Sequence, residues 1–197
     1  HKEYDIPNLD LIVIPGGCTF GDYLRCGALA ARSPVISSIK NHISRGGTVL
    51  GVCNGFQILI EAKILPGSLI RNKKLLFTCR ETTLEVQSCI ENPFLSGLKI
   101  GECLKIPVAH NEGNYFAPED LLKQLKEEGR IALKYCKQKN SEKNYNPNGP
   151  SDDIAGILSN NGRVLGMMPH PERAINYLHG GTDGLKLLTN CIEQIIG

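Results

Sequence analysis

The 197-residue sequence has no strong excess of charge of one sign and no long apolar run. Its formal net charge at pH 7 is +2, and its lysine and arginine residues are scattered along the chain. Nucleic-acid-binding proteins concentrate basic residues on one surface, and a membrane-spanning helix needs about 20 predominantly apolar residues in a row. We therefore expect neither a nucleic-acid partner nor a membrane span, and no signal peptide is visible.

Cysteine pairs with a recognisable spacing are also absent, although the chain contains eight cysteines. No two cysteines form a Cys-x-x-Cys pair, and no cysteine or histidine pair has the spacing of zinc ligands. Most of the cysteines lie in apolar segments, where cysteine behaves as a small hydrophobic residue. We therefore expect free thiols, no metal site and a cytoplasmic location.

Alternating apolar strands and helical patterns predict a single α/β domain. The apolar segment 10–14 ends at Pro15-Gly16-Gly17, as a buried parallel strand that enters a tight turn. A helix with apolar residues at helical spacing follows over 35–43, and a strand at 48–50 leads into an apolar helix at 56–62. The remaining predicted elements are strands at 75–79, 83–90, 103–108 and 130–136, helices at 118–128 and from Asp183, a loop at 137–153, and a hairpin formed by 154–159 and 163–168.

A cysteine with a glycine two residues away on each side follows the second strand, in Gly51-Val52-Cys53-Asn54-Gly55. This pattern is typical of a nucleophile elbow, in which the nucleophile has strained backbone and side chains two positions away would collide with it. The turn also places the sulfur at a helix N-terminus, which favours the thiolate. We predict that Cys53 is a nucleophile, and an inert buried cysteine in a glycine-rich turn is the alternative.

A histidine and a carboxylate follow the last predicted strand. A thiol nucleophile needs a base, and the base needs a third group that orients it. One proline separates His170 from Glu172 on an extended segment, so their side chains point the same way. We predict that His170 is the base for Cys53 and that Glu172 orients it. His110 is the rival base, but it lacks the flanking prolines.

The turn at Pro15-Gly16-Gly17 is the candidate for the remaining catalytic part. Attack on an amide carbonyl builds negative charge on oxygen, which needs hydrogen-bond donors already in place. In a nucleophile elbow one donor is the backbone N–H of the next residue, here Asn54. The side-chain-free turn can approach from a neighbouring strand end. We expect the N–H groups of Gly17 and Asn54 to form an oxyanion hole, with an ordinary glycine turn as the alternative.

Together these motifs resemble the class I, triad-type glutamine amidotransferases. The patterns Cys53-x-Gly55-x-Gln57 and His170-Pro171-Glu172 carry the resemblance to the whole superfamily. Asn54 and two further blocks resemble its members in purine biosynthesis, the small glutaminase subunits of phosphoribosylformylglycinamidine synthases. These blocks are Gly21-Asp22-Tyr23-Leu24-Arg25-Cys26-Gly27 and Pro107-Val108-Ala109-His110-Asn111-Glu112-Gly113-Asn114-Tyr115.

The resemblance implies a three-layer, flavodoxin-like α/β fold in which residues 1–197 form one glutaminase domain. It covers nearly the whole chain, from Leu11 to Arg173. Members of the family open with roughly one more βαβ unit, about 30 residues, ahead of the strand that begins near Leu11. We therefore expect the chain to be N-terminally truncated relative to the family.

The same resemblance implies that the chain hydrolyses glutamine to glutamate and ammonia through a thioester on Cys53. Its counterpart in the family suggests that Gln57 holds the polar end of the substrate. The loop that contains His110 and Asn111 is expected to line the same pocket and to contribute backbone contacts to the substrate α-carboxylate and amine.

The partner that uses the ammonia is also implied by the resemblance. The chain contains neither a Walker loop nor a kinase-like glycine signature, so an ATP-dependent step belongs to another polypeptide. A large synthase subunit, with a small accessory subunit, would use ATP and Mg to convert formylglycinamide ribonucleotide to formylglycinamidine ribonucleotide. No cofactor is expected in this chain. Segment 21–34 is a candidate docking or channel-gating surface, with a helix that serves the core as the alternative.

Two other functions stay open. One is a different cysteine hydrolase built on the same elbow, such as a peptidase or a deglycase-like enzyme, although such relatives generally lack the His-Pro-Glu pair. The other is a non-catalytic binding subunit with the same fold. Intact Cys53, His170 and Glu172 favour an enzyme over the second alternative.

Overall fold

A computed structural model describes residues 2–87, 89–137 and 145–197 of the chain. Over these residues it contains nine strands and four α-helices, together with short 3-10 turns. The strands are β1 (Leu11–Ile14), β2 (Thr48–Val52), β3 (Ser68–Ile70), β4 (Thr78–Val86), β5 (Cys103–His110), β6 (Asn114–Phe116), β7 (Ile131–Tyr135), β8 (Ile154–Leu158) and β9 (Val164–Met167). The helices are α1 (Val35–Ser44), α2 (Asn54–Glu61), α3 (Glu119–Glu127) and α4 (Asp183–Ile196).

Seven strands form one mixed sheet in the order β1-β2-β9-β8-β7-β4-β5, and β3 pairs with β6 in a separate ribbon. The neighbours β1, β2 and β9 are parallel, and the other pairs of the large sheet are antiparallel. All five residues of β2 are buried, as expected for a parallel strand that is covered on both faces. The structure confirms an α/β fold.

The sheet curls so that strands far apart in its order approach each other. Three strands separate β9 from β5, yet the backbone N–H of His170, just after β9, donates to the carbonyl of Pro107 on β5 at 2.8 Å. A twisted mixed sheet of this size can bend in this way. The curl brings the end of β5 to the residues that follow β2 and β9.

Helix α2 provides the core beside this edge of the sheet. Its residues from Asn54 to Ile60 are all buried, and it packs against β1, β2, β3 and β9. The Phe56 ring stacks on Tyr115 with a centroid distance of 6.1 Å. A mostly apolar helix has to be covered on most sides, and α2 meets this requirement. No helix in the described parts of the chain has the length and apolar character to cross a membrane.

Most predicted elements are confirmed within a few residues. They are the hairpin of β8 and β9, the strands at 48–52 and 131–135, and the helices α1 to α4. The predicted strand at 75–79 is wrong for its first three residues, which are exposed. A turn replaces it, because Leu75 has φ 57° and its N–H donates to the carbonyl of Asn72 at 2.8 Å. Strand β4 ends at Val86, whereas the predicted strand extends to residue 90. Residue 88 of that predicted strand and residues 138–144 of the predicted loop lie outside the described residues. The short strands β3 and β6 were not predicted.

Candidate active site

Cys53 stands at the sharp turn between β2 and α2, with φ 50° and ψ −105°. Positive φ is unusual for a residue with a side chain, and such strain persists only where the surroundings hold it. The N–H of Cys53 donates to the carbonyl of Met167 at 2.8 Å, and its carbonyl accepts from the N–H of Gln57 at 3.1 Å. The backbone is therefore tied to β9 on one side and to the first turn of α2 on the other.

The two glycines that flank Cys53 permit this turn. A Cβ atom on Gly55 would lie 1.9 Å from the carbonyl oxygen of Ile14, at the end of β1. A Cβ atom on Gly51 would lie 2.4 Å from Cδ1 of Leu59. Side chains at these positions would push α2 away from the sheet, which is the physical reason for glycine in the elbow pattern.

Three separate segments meet around the sulfur. A Cβ atom on Gly16 would lie 2.7 Å from Cε1 of His170 and 3.3 Å from Cβ of Cys53, so the glycine turn, the imidazole and the thiol are adjacent. The Sγ atom of Cys53 also lies 3.7 Å from the carbonyl oxygen of Ala109 on β5. Gly17 follows in the same turn with φ 143°. Its predicted role and that of the Asn54 N–H in an oxyanion hole stay predictions.

His170 and Glu172 form a short charged pair. Nδ1 of the imidazole lies 2.6 Å from Oε1 of the carboxylate. Burial of the ring opposes protonation, but the nearby Cys53 side chain and the hydrogen bond and charge of Glu172 outweigh it and raise the pKa of His170 to about 9. Burial also acts against the carboxylate, yet the bond to the imidazole holds the pKa of Glu172 below its usual range. His170 is therefore an imidazolium at neutral pH.

The second ring nitrogen of His170 is available to exchange a proton with a reacting group. Nε2 is buried and has no hydrogen-bond partner among the described residues. The Cys53 side chain is nevertheless close enough to contribute to the raised pKa of the ring. A cysteine sulfur beside a histidine ring whose other nitrogen is held by a carboxylate is an arrangement that nucleophilic catalysis by cysteine uses.

A series of side-chain hydrogen bonds stabilises the first turn of α2, next to Cys53. Oδ1 of Asn54 accepts from the Thr19 hydroxyl at 3.0 Å, and Nδ2 of Asn54 donates to Oε1 of Gln57 at 2.9 Å. Nε2 of Gln57 in turn donates to the carbonyl of Glu112 at 2.7 Å. Both ends of the Gln57 amide thus bind protein groups beside the site, and its predicted contact with substrate stays a prediction.

His110 is buried at the end of β5, and the exposed Asn111 follows it. Nδ1 of His110 lies 3.1 Å from Oδ1 of Asn72. Burial lowers the pKa of His110 to about 4, and the positive charge of His170 acts in the same direction. At neutral pH His110 is therefore neutral and His170 is positively charged. This difference favours His170 over His110 as the acid and base.

Asn72 is a residue of this region that the sequence analysis missed. Its backbone N–H donates to the carbonyl of Asn111 at 2.9 Å, and its side chain bonds to His110 and Gly113. His110 and Gly113 are 38 and 41 positions away in the chain, so no local pattern could identify these two contacts. Over the described residues, no group of three or more histidine, cysteine or acidic side chains is arranged to hold a metal ion.

The segments that form this site all lie within the part of the chain that is similar to known proteins. Residues 1–182 match the family model of the CobB/CobQ-like glutamine amidotransferase domain. The chain is 52% identical over 188 residues to phosphoribosylformylglycinamidine synthase subunit PurQ of Ruegeria pomeroyi, which covers 95% of the chain and 81% of the relative. It is 48% identical over 197 residues to the subunit of the same name from Rhodopseudomonas palustris, with 99% and 84% covered. A solved structure of PurLQS from Thermotoga maritima superimposes with a TM-score of 0.83 at 38% identity, over 95% of this chain and 81% of that chain.

Proposed function

Because the chain belongs to the CobB/CobQ-like glutamine amidotransferases, and among them to the PurQ subunits of phosphoribosylformylglycinamidine synthase, we propose that it is the glutaminase of such a synthase. It hydrolyses glutamine to glutamate and ammonia for purine biosynthesis. The ammonia converts formylglycinamide ribonucleotide to formylglycinamidine ribonucleotide, with ATP, on the synthase subunit. The observation that carries the chemistry is the meeting of the Cys53 thiol, the imidazolium of His170 and the glycine turn at Gly16.

The first half of the reaction starts with the proton of the Cys53 thiol on Nε2 of His170, so that a thiolate faces an imidazolium. The Cys53 thiolate attacks the carbonyl carbon of the glutamine carboxamide, and the C–S bond forms as the carbonyl π electrons move to oxygen. The N–H groups of Gly17 and Asn54 stabilise this oxyanion. The His170 imidazolium then gives its Nε2 proton to the carboxamide nitrogen, the C–N bond breaks, and ammonia leaves a γ-glutamyl thioester.

The second half uses the imidazole that the first half leaves neutral. His170 accepts a proton from water while the water oxygen attacks the thioester carbonyl. The intermediate collapses, the C–S bond breaks, and glutamate leaves with Cys53 again a thiolate beside an imidazolium. Glu172 stabilises the charged ring at both ends of the cycle, because its carboxylate is hydrogen-bonded to Nδ1 at 2.6 Å.

The partner is a large synthase subunit, with a small accessory subunit, which binds ATP and Mg. The similarity to a chain of PurLQS from Thermotoga maritima supports an assembly of this kind. Segment 21–34 is the proposed docking surface, since Tyr23 and Leu24 are exposed there while Arg25 ties the segment to Glu61 on α2 through two hydrogen bonds of 2.7 and 2.8 Å. A cytoplasmic location follows from the supply of ATP and nucleotide substrates to that partner.

Labelling with a glutamine analogue that carries an electrophilic diazoketone tests this function. We expect the analogue to modify Cys53, as identified by peptide mass spectrometry, and free glutamine to protect it. In the presence of the synthase partner, Cys53→Ala should abolish glutaminase activity, whereas Cys79→Ala, at an exposed cysteine of β4, should retain it. Modification of Cys53 by iodoacetamide but not by the analogue would favour a different cysteine hydrolase, and full activity of Cys53→Ala would exclude the mechanism.

A further inference from the structure

Asn72 is 1% exposed, and each of the two polar atoms of its side chain has at least one partner that can only donate or only accept a hydrogen bond. Nδ2 lies 2.9 Å from the carbonyl oxygens of Leu76 and His110, which can only accept hydrogen bonds. Oδ1 lies 3.1 Å from the backbone nitrogen of Gly113, which can only donate. These contacts determine the orientation of the amide without ambiguity. Oδ1 is therefore an acceptor for its remaining partner as well.

That remaining partner is Nδ1 of His110, at 3.1 Å. Because Oδ1 of Asn72 accepts, Nδ1 has to carry the proton. A neutral imidazole has one N–H and one lone pair, so the lone pair of His110 is on Nε2. Burial keeps the ring neutral, with a pKa of about 4. Asn72 thus selects one tautomer of His110.

Nε2 of His110 is buried and has no hydrogen-bond partner among the described residues. A buried acceptor without a donor is costly, by about 1–3 kcal/mol, so such an atom needs an explanation, such as an ordered water or a role in the reaction. The neighbours of His110 favour a role in the reaction. His110 follows Ala109, whose carbonyl lies 3.7 Å from the Cys53 sulfur, and the ring is near enough to His170 to respond to its charge.

We propose that Asn72 holds His110 as the Nδ1–H tautomer so that Nε2 accepts a hydrogen bond from the carboxamide nitrogen of glutamine. The proposal rests on the glutaminase function and deepens it. It assigns the His110 ring, in addition to the loop backbone, to the substrate, and it makes Asn72 a positioning residue.

The two histidines then have complementary tasks at one nitrogen atom. The departing nitrogen receives a proton from the His170 imidazolium, while its own N–H groups need an acceptor, which His110 supplies. The product glutamate has only acceptor atoms at this position, so its carboxylate would face the lone pair of Nε2. A site that offers a lone pair therefore favours the amide over the acid and assists product release.

Kinetics of glutaminase activity in the complex with the synthase partner test the acceptor. His110→Leu removes the acceptor and should lower kcat roughly tenfold, with a smaller change in KM, because the hydrogen bond matters most while the nitrogen leaves. His110→Gln offers an amide oxygen and should restore part of the loss. A kcat of His110→Leu equal to that of the parent complex would overturn the proposal, even if Cys53 is still labelled by the diazoketone analogue.

The Asn72→Asp variant tests the positioning role through pH. A carboxylate beside Nδ1 favours the imidazolium, which puts a proton on Nε2 and removes the acceptor. We expect activity to fall at low pH and to recover as pH rises, whereas Asn72→Ala should lose activity at every pH. Asn92→Asp is the matched control, because buried Asn92 has a similar structural role with bonds to Phe94 and Leu95 away from the site. It should lose stability and keep the parent pH profile. An Asn72→Asp profile identical to that of the parent would contradict the positioning role.

The tautomer itself is observable without any substitution at Asn72. In the full chain labelled with [15N]histidine, we expect His110 to show a protonated Nδ1 and an unprotonated Nε2 throughout the neutral range. A His110→Gln sample assigns the signals. A proton on Nε2 would exclude the proposal whether or not the variants fold, and it would leave the glutaminase function unaffected.

Discussion

Replacing Glu172 by glutamine removes a charge but keeps a hydrogen-bond acceptor at the same place. The carboxylate lies 2.6 Å from Nδ1 of His170, and it is one of two groups that raise the pKa of the imidazole to about 9. The amide oxygen of glutamine can still accept from Nδ1. The pKa of His170 should therefore fall towards its ordinary value of 6.5, and only in part, since Cys53 still favours the charged ring.

The expected loss of activity is moderate. A hydrogen bond to a charged group contributes about 1.5–3 kcal/mol. The Glu172 side chain is 49% exposed, so solvent screens its charge and we expect about 1–2 kcal/mol. This corresponds to a decrease of roughly 5- to 30-fold in kcat/KM at neutral pH. In a triad that starts from neutral histidine the corresponding change costs about 10⁴-fold, because the ring adopts the wrong tautomer. The kcat/KM value reports the steps up to the release of ammonia, and in these steps the imidazolium has protons on both nitrogens and no tautomer to lose.

The assay is kcat/KM for glutamine from about pH 6 to about pH 10 with the synthase partner present. In the parent the alkaline decrease should be centred near the pKa of His170, about 9, because deprotonation removes the acid that protonates the departing carboxamide nitrogen. In Glu172→Gln it should move to lower pH. Glu128→Gln, which removes a carboxylate paired with Arg130 far along the chain, should leave the profile unchanged. A decrease of about 10⁴-fold in kcat/KM, with the alkaline decrease at the same pH as in the parent, would refute the view that His170 is already an imidazolium before glutamine reacts.

Three further predictions concern close contacts and protons. Gly55→Ala should lower the free energy of unfolding by at least about 2 kcal/mol in urea titrations, because its Cβ would lie 1.9 Å from a carbonyl oxygen; Gly181→Ala, which has open space, should change it little. Gly16→Ala should lower glutaminase activity far more than stability, since its Cβ would displace the His170 ring from its place beside Cys53; parent-like activity would contradict the packing of this turn. Between pH 6.5 and about 4 the unfolded chain binds a proton at His110 that the folded chain does not, so stability should fall by up to about 3 kcal/mol as pH decreases. In His110→Gln this dependence should become weaker, and an unchanged slope would place its origin elsewhere.

His170 has the opposite linkage to stability. Its folded pKa is raised above the ordinary 6.5, so its contribution is fully present below pH 6.5 and is lost as pH rises through about 9. The chain should therefore be most stable near neutral pH, with His110 setting part of the acid side and His170 part of the alkaline side. The same difference in charge underlies the roles proposed for the two rings: His170 donates a proton, and neutral His110 accepts a hydrogen bond.

Features that depend only on neighbouring residues could be predicted from the amino-acid sequence. The strained turn at Cys53 was predictable because glycines two positions away are what such a turn requires. The contact of His170 with Glu172 was also predicted, but the extended segment on which that prediction rested is wrong, because Pro171–Arg173 form a 3-10 helix that brings the carboxylate back to the ring. The α/β order and the hairpin of β8 and β9 were predictable for the same reason, since apolar periodicity and turn chemistry act over a few residues.

The tertiary structure decided what depends on distant partners. The residues at 75–77 have the apolar character of a strand, yet the turn with Asn72 places them outside the sheet. The approach of β5 to His170 arises from the curl of the whole sheet, and the tautomer of His110 arises from an asparagine 38 positions away. Hydrogen bonds of this kind depend on where the folded chain brings its segments together, and no periodicity in the sequence records that.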